Sequence, residues 1–476
     1  MSYQKKFIPK KSENISEWYN AVILHSEMAE YGPAKGTMIM RPYGYAVWEL
    51  IQKALDAKIK AKGVSNAYFP LFIPESFLKK EKEHVEGFAP ELAVVTVGGG
   101  KELEEKLIVR PTSETIMYDA YSRWISSWRD LPMLINQWNN VVRWEKRTYM
   151  FLRTTEFLWQ EGHTAHATHE EAQEMVLWAI NAYEDLYHNF FAMDGYKGIK
   201  SQAERFAGAG ETISFESLMP DGKALQSCTS HDLGQNFAKV FNITFQDRDE
   251  QIKHVWQTSW GLSTRSIGGL ILAHGDDNGL RLPPKLAPYQ VVIIPVSQQT
   301  QVVNACEELC QVLTRGGIRV LVDRRDDESL GYKINKWELK GVPIRIELGD
   351  RELLDRKVTA VRRDTGEKMQ LAFDPLVESV STVLEAIQTA MFAESQKFLQ
   401  ANTFTASTYN EFKNIMTKSR GFIKAHWCEN PECESKIKEE TKATTRCRQL
   451  NDPEDFGKCI YCGAPSQHRW VFGQSY

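Results

Sequence analysis

The chain has no apolar stretch approaching the ~18 residues that a membrane-crossing helix needs, so no transmembrane segment is expected. Its opening residues, MSYQKKFIPKKSENISEWYN, carry charges but no apolar run, so no secretory leader is expected there. Basic residues are not in excess: 58 Lys and Arg against 62 Asp and Glu leave a formal charge of −4. Contact with a polyanion must therefore come from local clusters of Lys and Arg. Cysteines are few, eight in 476 residues, and they are not spread as a disulfide framework. Repeats and low-complexity tracts are missing as well. These absences point to a reducing compartment, with cytoplasm as the expectation and no membrane partner.

What is present is length, enough for roughly three domains with large cores. In the first block, residues 1–284, apolar residues recur at helical spacing from Pro42 to Ile59, and Gly63 is placed to end that helix. NAYFPLFIP follows as a strand, with Pro70 and Pro74 marking it as an edge or terminus. Short strand-like runs (LIVRPTS, LINQWNNVVRWE, TEFLWQ), a polar helix over 170–191 and two more strand-to-helix runs come next, in no strict βαβ order. That pattern predicts an α+β domain with an antiparallel sheet. Residues 285–393 alternate strand and helix and predict a compact α/β domain. Residues 394–476 form a third, smaller block that holds the clustered cysteines.

Phe151–His166 reads FLRTTEFLWQEGHTAH. A buried strand rarely carries so many polar groups, because each needs a partner once water is gone. A surface loop rarely carries Phe157, Leu158 and Trp159 in a row. A lined pocket accommodates both. Upstream, VVRWE puts Arg143 and Glu145 two apart, hence on one face of a strand. A hairpin returning through Arg153 and Phe157 brings two guanidinium groups, a carboxylate and a ring onto one floor, which suits a nucleotide.

Arg-x-Glu, a loop, then Arg-x-x-x-Phe resembles motif 2 of the class II aminoacyl-tRNA synthetases. KGVSNAYFPLF, with Gly63 and Pro70, resembles their motif 1, a dimer-interface helix and strand, and GLSTRSIGG resembles motif 3 with Arg265. RPTSE (Arg110–Glu114), FLWQEGHTAH and ALQSCTSHDLGQNF narrow the resemblance to the prolyl-tRNA synthetases of archaeal and eukaryotic type, from about residue 14 to the last residue. Such an enzyme joins proline to ATP as an adenylate, releases pyrophosphate and passes the prolyl group to the 3′ end of tRNA(Pro), steps that rest on positioning and charge neutralisation.

The resemblance implies that Arg143 holds the α-phosphate and the proline carboxylate together. Phe157 stacks on adenine, with Arg265 on the other side near the γ-phosphate. Arg153 and Thr154 contact the nucleotide, Glu145 lies near the base or the tRNA end, and Gln226, Thr229 and Ser263 complete the ATP site. For proline, Glu114 and Thr112 take the ammonium, while Trp159, Phe206 and His231 wall the ring with Glu161 and His163 in support. Mg²⁺ accompanies ATP, and the enzyme is a homodimer. In the second block, NKWELKGVPIRIELGDR places Lys336, Lys340, Arg345 and Arg351 around Trp337 and Glu338. The resemblance makes this an anticodon-binding domain with Glu338 and Arg345 reading bases. The resemblance also implies that the carboxylate of Tyr476 turns back toward the catalytic domain.

CENPEC and CIYC supply C-x4-C and C-x2-C pairs, as a four-thiolate structural zinc site requires. The ligands are then Cys428, Cys433, Cys459 and Cys462, with Cys447 between the pairs as a rival. Blander readings stand beside these. HTAHATH could be structural histidines or a zinc site drawing on Glu161 and Glu170, though its spacing fits no familiar zinc pattern. Asp323–Glu328 reads as a solvated charged face, and DDNGL as a turn rather than a calcium loop. The rival functions are a class II synthetase for threonine or glycine, and a synthetase-like tRNA-binding protein without catalysis.

Overall fold

A computed structural model of the chain describes residues 8–78 and 92–476. The first block opens with helices α1 (Ile15–His25) and α2 (Pro42–Ala61). Pro42 occupies the first turn of α2, where its missing N–H costs nothing, and Gly63 at φ +87° lets the chain leave the helix. The apolar stripe of α2 (Val47, Trp48, Ile51, Leu55, Ile59) is buried in the main core. The expected strand NAYFPLFIP is split: Ser65–Asn66 forms β1 and Phe72–Pro74 pairs into a separate three-stranded sheet. Pro70, which lacks an N–H, sits in the gap between them.

The hairpin read from sequence is present as β2 (Met133–Val142) and β3 (Glu156–His166), paired antiparallel from Met133–Ala165 to Val142–Glu156, with α3 (Glu114–Trp124) preceding it in the chain. Helix α4 (His169–Leu186) begins at a capping box between Thr168 and Glu171. The domain continues through β4 (Tyr196–Ile199), β5 (Glu211–Leu218), β6 (Ala224–Gly234), β7 (Trp256–Ser263) and helix α5 (Arg265–His274). Gly162 on β3 faces Trp260 on β7, and any Cβ there would stand 2.2 Å from the indole. Trp260 can lie flat over the sheet only because that residue is glycine.

The second block is a five-stranded sheet in the order β9-β8-β10-β11-β12, where β8 is Val291–Pro295, β9 Val320–Val322, β10 Ile344–Leu348, β11 Lys357–Arg362 and β12 Lys368–Ala372. Helices α6 (Thr300–Arg315) and α7 (Leu330–Leu339) connect its parallel strands. Helix α8 (Leu376–Ala401) then runs unbroken through residue 394, so the chain passes from the second block to the third along one helix.

The third block contributes β13 (Thr403–Thr405), β14 (Phe422–His426), helix α9 (Pro431–Thr441), β15 (Ala443–Gln449) and β16 (Arg469–Gln474). Apart from a short hairpin of Gly457–Lys458 with Pro465–Ser466, its strands join the sheet of the first block. Arg448 and Gln449 of β15 pair with Ile199 and Gly198 of β4, giving one eleven-stranded sheet in the order β13-β14-β16-β15-β4-β5-β6-β7-β3-β2-β1. No helix among the described residues is long and apolar enough to cross a membrane.

Candidate active site

The inner strands β5, β6, β7, β3 and β2 present one polar face, and two hollows adjoin there. The first is lined by Thr112, Glu114, Arg143, Phe157, Trp159, Glu161, His163, Phe206, Gln226, Thr229, His231, Ser263 and Arg265. The second is lined by Arg143, Glu145, Arg153, Thr154, Phe157, Ser263 and Arg265, together with Phe151 and Leu152. Every candidate residue of the first block lines at least one of them. Arg143, Phe157, Ser263 and Arg265 line both.

One local expectation is corrected. Arg143 and Glu145 do not lie on a strand: β2 ends at Val142, and both follow it outside any regular element. The Arg143 N–H still donates to Thr155 O at 2.8 Å, so Arg143 continues the face set by Gln137, Asn139 and Val141. Its Nε donates to Pro111 O at 3.1 Å, and its guanidinium stands 5.6 Å from the Phe157 ring centre and 5.4 Å from that of Trp159. Arg153 Nε lies 3.6 Å from Glu145 Oε1, and Arg265 Nε donates to Leu152 O at 2.9 Å. Burial, reinforced by Arg143 and Arg153, lowers Arg265 to about 10, well above neutral pH. Three guanidinium groups so close repel one another, and an anion between them relieves the repulsion.

At the other end of the first hollow the carboxylates divide their work. Glu161 accepts from Ser113 N (3.1 Å), Gln137 Nε2 (3.1 Å), Asn139 Nδ2 (2.6 Å) and His163 Nε2 (3.0 Å), and from the Ser113 hydroxyl. Burial pushes its pKa up, but these donors, His163 foremost, outweigh burial and hold it below the ordinary carboxylate value. Burial alone would lower His163; Glu114 and Glu161 reverse that and raise it. Glu161 and His163 are therefore a buried, hydrogen-bonded pair that braces the wall. Glu114, also buried, accepts the Thr112 hydroxyl. His231, lowered to about 3 by burial and by the nearby His163 and Arg143, is neutral. It shares a hydrogen bond with Thr212 Oγ1 (2.9 Å) and stands 4.6 Å from Phe206, centre to centre.

The histidines of HTAHATH do not gather. His166 bonds Thr164 Oγ1 at 2.7 Å, and His169 pairs with Asp232 at 2.6 Å. His163 alone joins Glu114 and Glu161, with ligand atoms within 4.8 Å of one another, but the Glu161–His163 bond, the Thr112 hydroxyl on Glu114 and the donors around Glu161 account for the arrangement. DDNGL forms a turn closed between Asp276 and Gly279. Asp276 there accepts both Arg363 nitrogens, at 2.7 and 2.6 Å. Sequence reading missed Ser113, Gln137, Asn139 and Thr212; the one hint was for Gln137 and Asn139, which stand two apart in LINQWNNVV and so share a strand face.

In the second block, Glu338 and Arg345 line one hollow with Trp337, Arg362, Arg363 and Lys368. Lys340 is not part of it: its ammonium is buried against Glu27 of the first block. Asp323, expected on a solvated face, is buried, accepting from Arg325 and from Trp337 Nε1 at 2.7 Å. In the third block the thiols of Cys428, Cys433, Cys459 and Cys462 lie within 4.8 Å of one another, with Cys428 Sγ 3.7 Å from both Cys433 and Cys462. A tetrahedral site with zinc–sulfur bonds of about 2.3 Å has sulfur–sulfur edges of about 3.8 Å, so these four fit the ion. Cys447 lies outside the cluster, buried beside Tyr196 O. Tyr476 does turn back: its main-chain oxygen accepts from Arg153 at 3.3 Å, and Lys223 lies over its ring.

Residues 95–274 match the family model described as tRNA synthetase class II core domain (G, H, P, S and T), so the fold is that of a class II aminoacyl-tRNA synthetase. Residues 290–382 match an anticodon binding domain, and residues 409–476 match the C-terminal domain of prolyl-tRNA synthetase. The chain is 52% identical to the proline–tRNA ligase of Natranaerobius thermophilus, covering 96% of this chain and 95% of the relative. It is also 52% identical to that of Chlorobium chlorochromatii (98% and 99%) and 51% identical to that of Rubrobacter xylanophilus (98% of each). The chain belongs to the proline–tRNA ligase family.

Proposed function

We propose that the chain is a proline–tRNA ligase in which the two adjoining hollows hold proline and ATP, and that Arg143, which lines both, carries the chemistry. A group shared between two substrates can bring the proline carboxylate to the α-phosphate and neutralise charge as the new bond forms. In this reading Phe157 receives the adenine face and Arg265 the distal phosphates. Arg153, Thr154, Gln226, Thr229 and Ser263 line the rest of the nucleotide's path. Glu114 and Thr112 receive the secondary ammonium, and Trp159, Phe206 and neutral His231 enclose the ring. Mg²⁺ would enter with the triphosphate and offset its charge; Glu145 is the carboxylate lining that hollow. Glu338 and Arg345 read anticodon bases, and the four clustered thiolates hold a structural zinc ion.

The archaeal and eukaryotic subtype is proposed on a further ground. Residues 162–223 are accounted for by β3, α4, β4, β5 and the turns between them, which leaves no room for an inserted domain between motifs 2 and 3. We also assign a homodimer joined through the motif 1 region, a cytoplasmic location, and a division near residue 284 between catalytic and anticodon-binding domains. Pyrophosphate exchange with each of the twenty amino acids tests the central reading. Proline should support exchange far above threonine or glycine; equal or greater exchange with either of those overturns it.

A further inference from the structure

Phe206 lies on the segment 200–210, which links β4 to β5 by turns, and Glu204 and Arg205 on the same segment line the first hollow too. Its near end is gripped from the third block. Ser201 Oγ donates to Glu434 Oε1 at 2.8 Å. Thr445 Oγ1 stands 2.9 Å from Ser201 Oγ and donates to the same carboxylate oxygen. Glu434 is only 4% exposed, and its Oε2 has no partner among the described residues. Beside it, Glu216 accepts from Lys200 at 3.2 Å and from Arg446 at 2.8 Å, all three side chains being buried. Glu204 stands 3.8 Å from both Arg446 and Lys438. A seam that only joined two blocks would be cheaper to build from apolar groups, since each buried charge costs several kcal/mol to desolvate. This one directs charge and hydrogen bonds at a turn segment that forms a pocket wall.

We propose that Glu434, on α9 of the third block, is a positioning residue for the amino-acid pocket. By holding Ser201 it fixes segment 200–210, so that Phe206 stands against His231 and Glu204 at the rim before the amino acid arrives. The proposal rests on the first hollow being the proline site. No residue of this segment lines the second hollow, and Phe206 stands against His231 on the amino-acid side of the first, so the effect falls chiefly on proline. Without the hydrogen bond the segment samples other conformations, and apparent affinity falls by the fraction that remains competent.

The test is pyrophosphate exchange by the full-length enzyme, with proline and ATP varied in turn. If the competent fraction drops to about one tenth, Glu434→Ala raises KM for proline about tenfold, with KM for ATP and kcat at saturating proline within about twofold. Glu434→Gln, whose amide oxygen still accepts from Ser201, recovers most of the loss. As a control for folding of the third block, Ser201→Ala removes the same bond from the segment's side and should give the same split. Parallel rises in both KM values, or a stable Ser201→Ala enzyme with unchanged KM for proline, overturn the proposal. Thr112→Ala separates the two levels of the argument. If it raises KM for proline while Ser201→Ala does not, only the positioning role fails; if it has no effect on that KM, the assignment of the pocket fails and the positioning role with it.

Discussion

Arg143 concentrates the chemical argument into one side chain. Arg143→Ala should cost about 3–4 kcal/mol in the transition state for adenylate formation, seen as a fall of two to three orders of magnitude in proline-dependent exchange with the fold intact. Arg143→Lys should recover little, because an ammonium cannot present two planar donors to oxygens of two different groups; near-normal exchange by the lysine variant would falsify the assignment. Buried histidines set a second expectation. His231 is lowered to about 3, and His166 and His274 to about 4, all chiefly by burial, from an ordinary value of 6.5. Unfolding lets each take up a proton it refuses when folded. The stability they supply is complete above pH 6.5 and is lost as pH falls toward 4, by up to about 1.36 kcal/mol per pH unit for each group. His163 has the opposite sign: its pKa is raised, so its contribution is complete below 6.5 and is lost as pH climbs through the folded value. His274, which bonds Phe191 O and touches neither hollow, is the clean probe. Urea melts at pH 5 and pH 7 should differ less for His274→Gln than for the parent; an unchanged difference counts against the account. That Arg143, Phe157 and Glu114 would line one pocket was legible because their order in the chain carries a motif. The donors that saturate Glu161 were not, since Ser113, Gln137 and Asn139 acquire their meaning only when β2, β3 and the start of α3 converge.

Elements were legible where periodicity was strong. The α2 helix, the β2–β3 hairpin and α7 follow from spacing and end signals, because one buried face dictates the pattern. Helix α8 was not foreseen as a continuous unit. It serves two neighbours: Val380, Leu384 and Ile387 pack into the second block's core, while Gln388 donates to Asn189 O and Glu394 pairs with Arg281 of the first block. That double duty blurs the composition change on which a boundary is read. The cysteine cluster was legible from spacing alone, and structure adds that Cys433 lies in the first turn of α9. Cys428→Ser or Cys459→Ser should therefore release about one zinc per chain and lower the melting temperature, with exchange falling mainly through lost folded protein. Full metal content in purified Cys428→Ser would remove that residue from the ligand set.

At the scale of the molecule, the feature least visible in sequence is the joining of the third block to the catalytic sheet at β4 and β15, because pairing between distant segments leaves no local pattern. A chain ending at Ala401 should expose the edge of β4 and a row of unpaired main-chain groups, and should be recovered mainly as aggregate. A soluble 1–401 protein with normal exchange would show that the joint is dispensable. Function at this scale also has a predicted flaw. A pocket that encloses proline rejects smaller amino acids only through lost contacts, at about 1–3 kcal/mol per methylene. Alanine and cysteine should then support exchange at a detectable fraction of the proline rate. Pre-made alanyl-tRNA(Pro) should persist with the purified enzyme; rapid clearance that is lost on altering a residue within 162–223 would reveal an unrecognised hydrolytic site there. The β4–β15 pairing has one more consequence, for the protein's birth. Strand β4 leaves the ribosome some 250 residues before β15 does. At about 5–20 residues per second, its open edge waits on the order of 10–50 seconds for a partner still being translated. During that interval the nascent chain offers a ready template to any passing strand, so its yield in the cell should depend on holdase chaperones and on translation speed through the codons between β4 and β15.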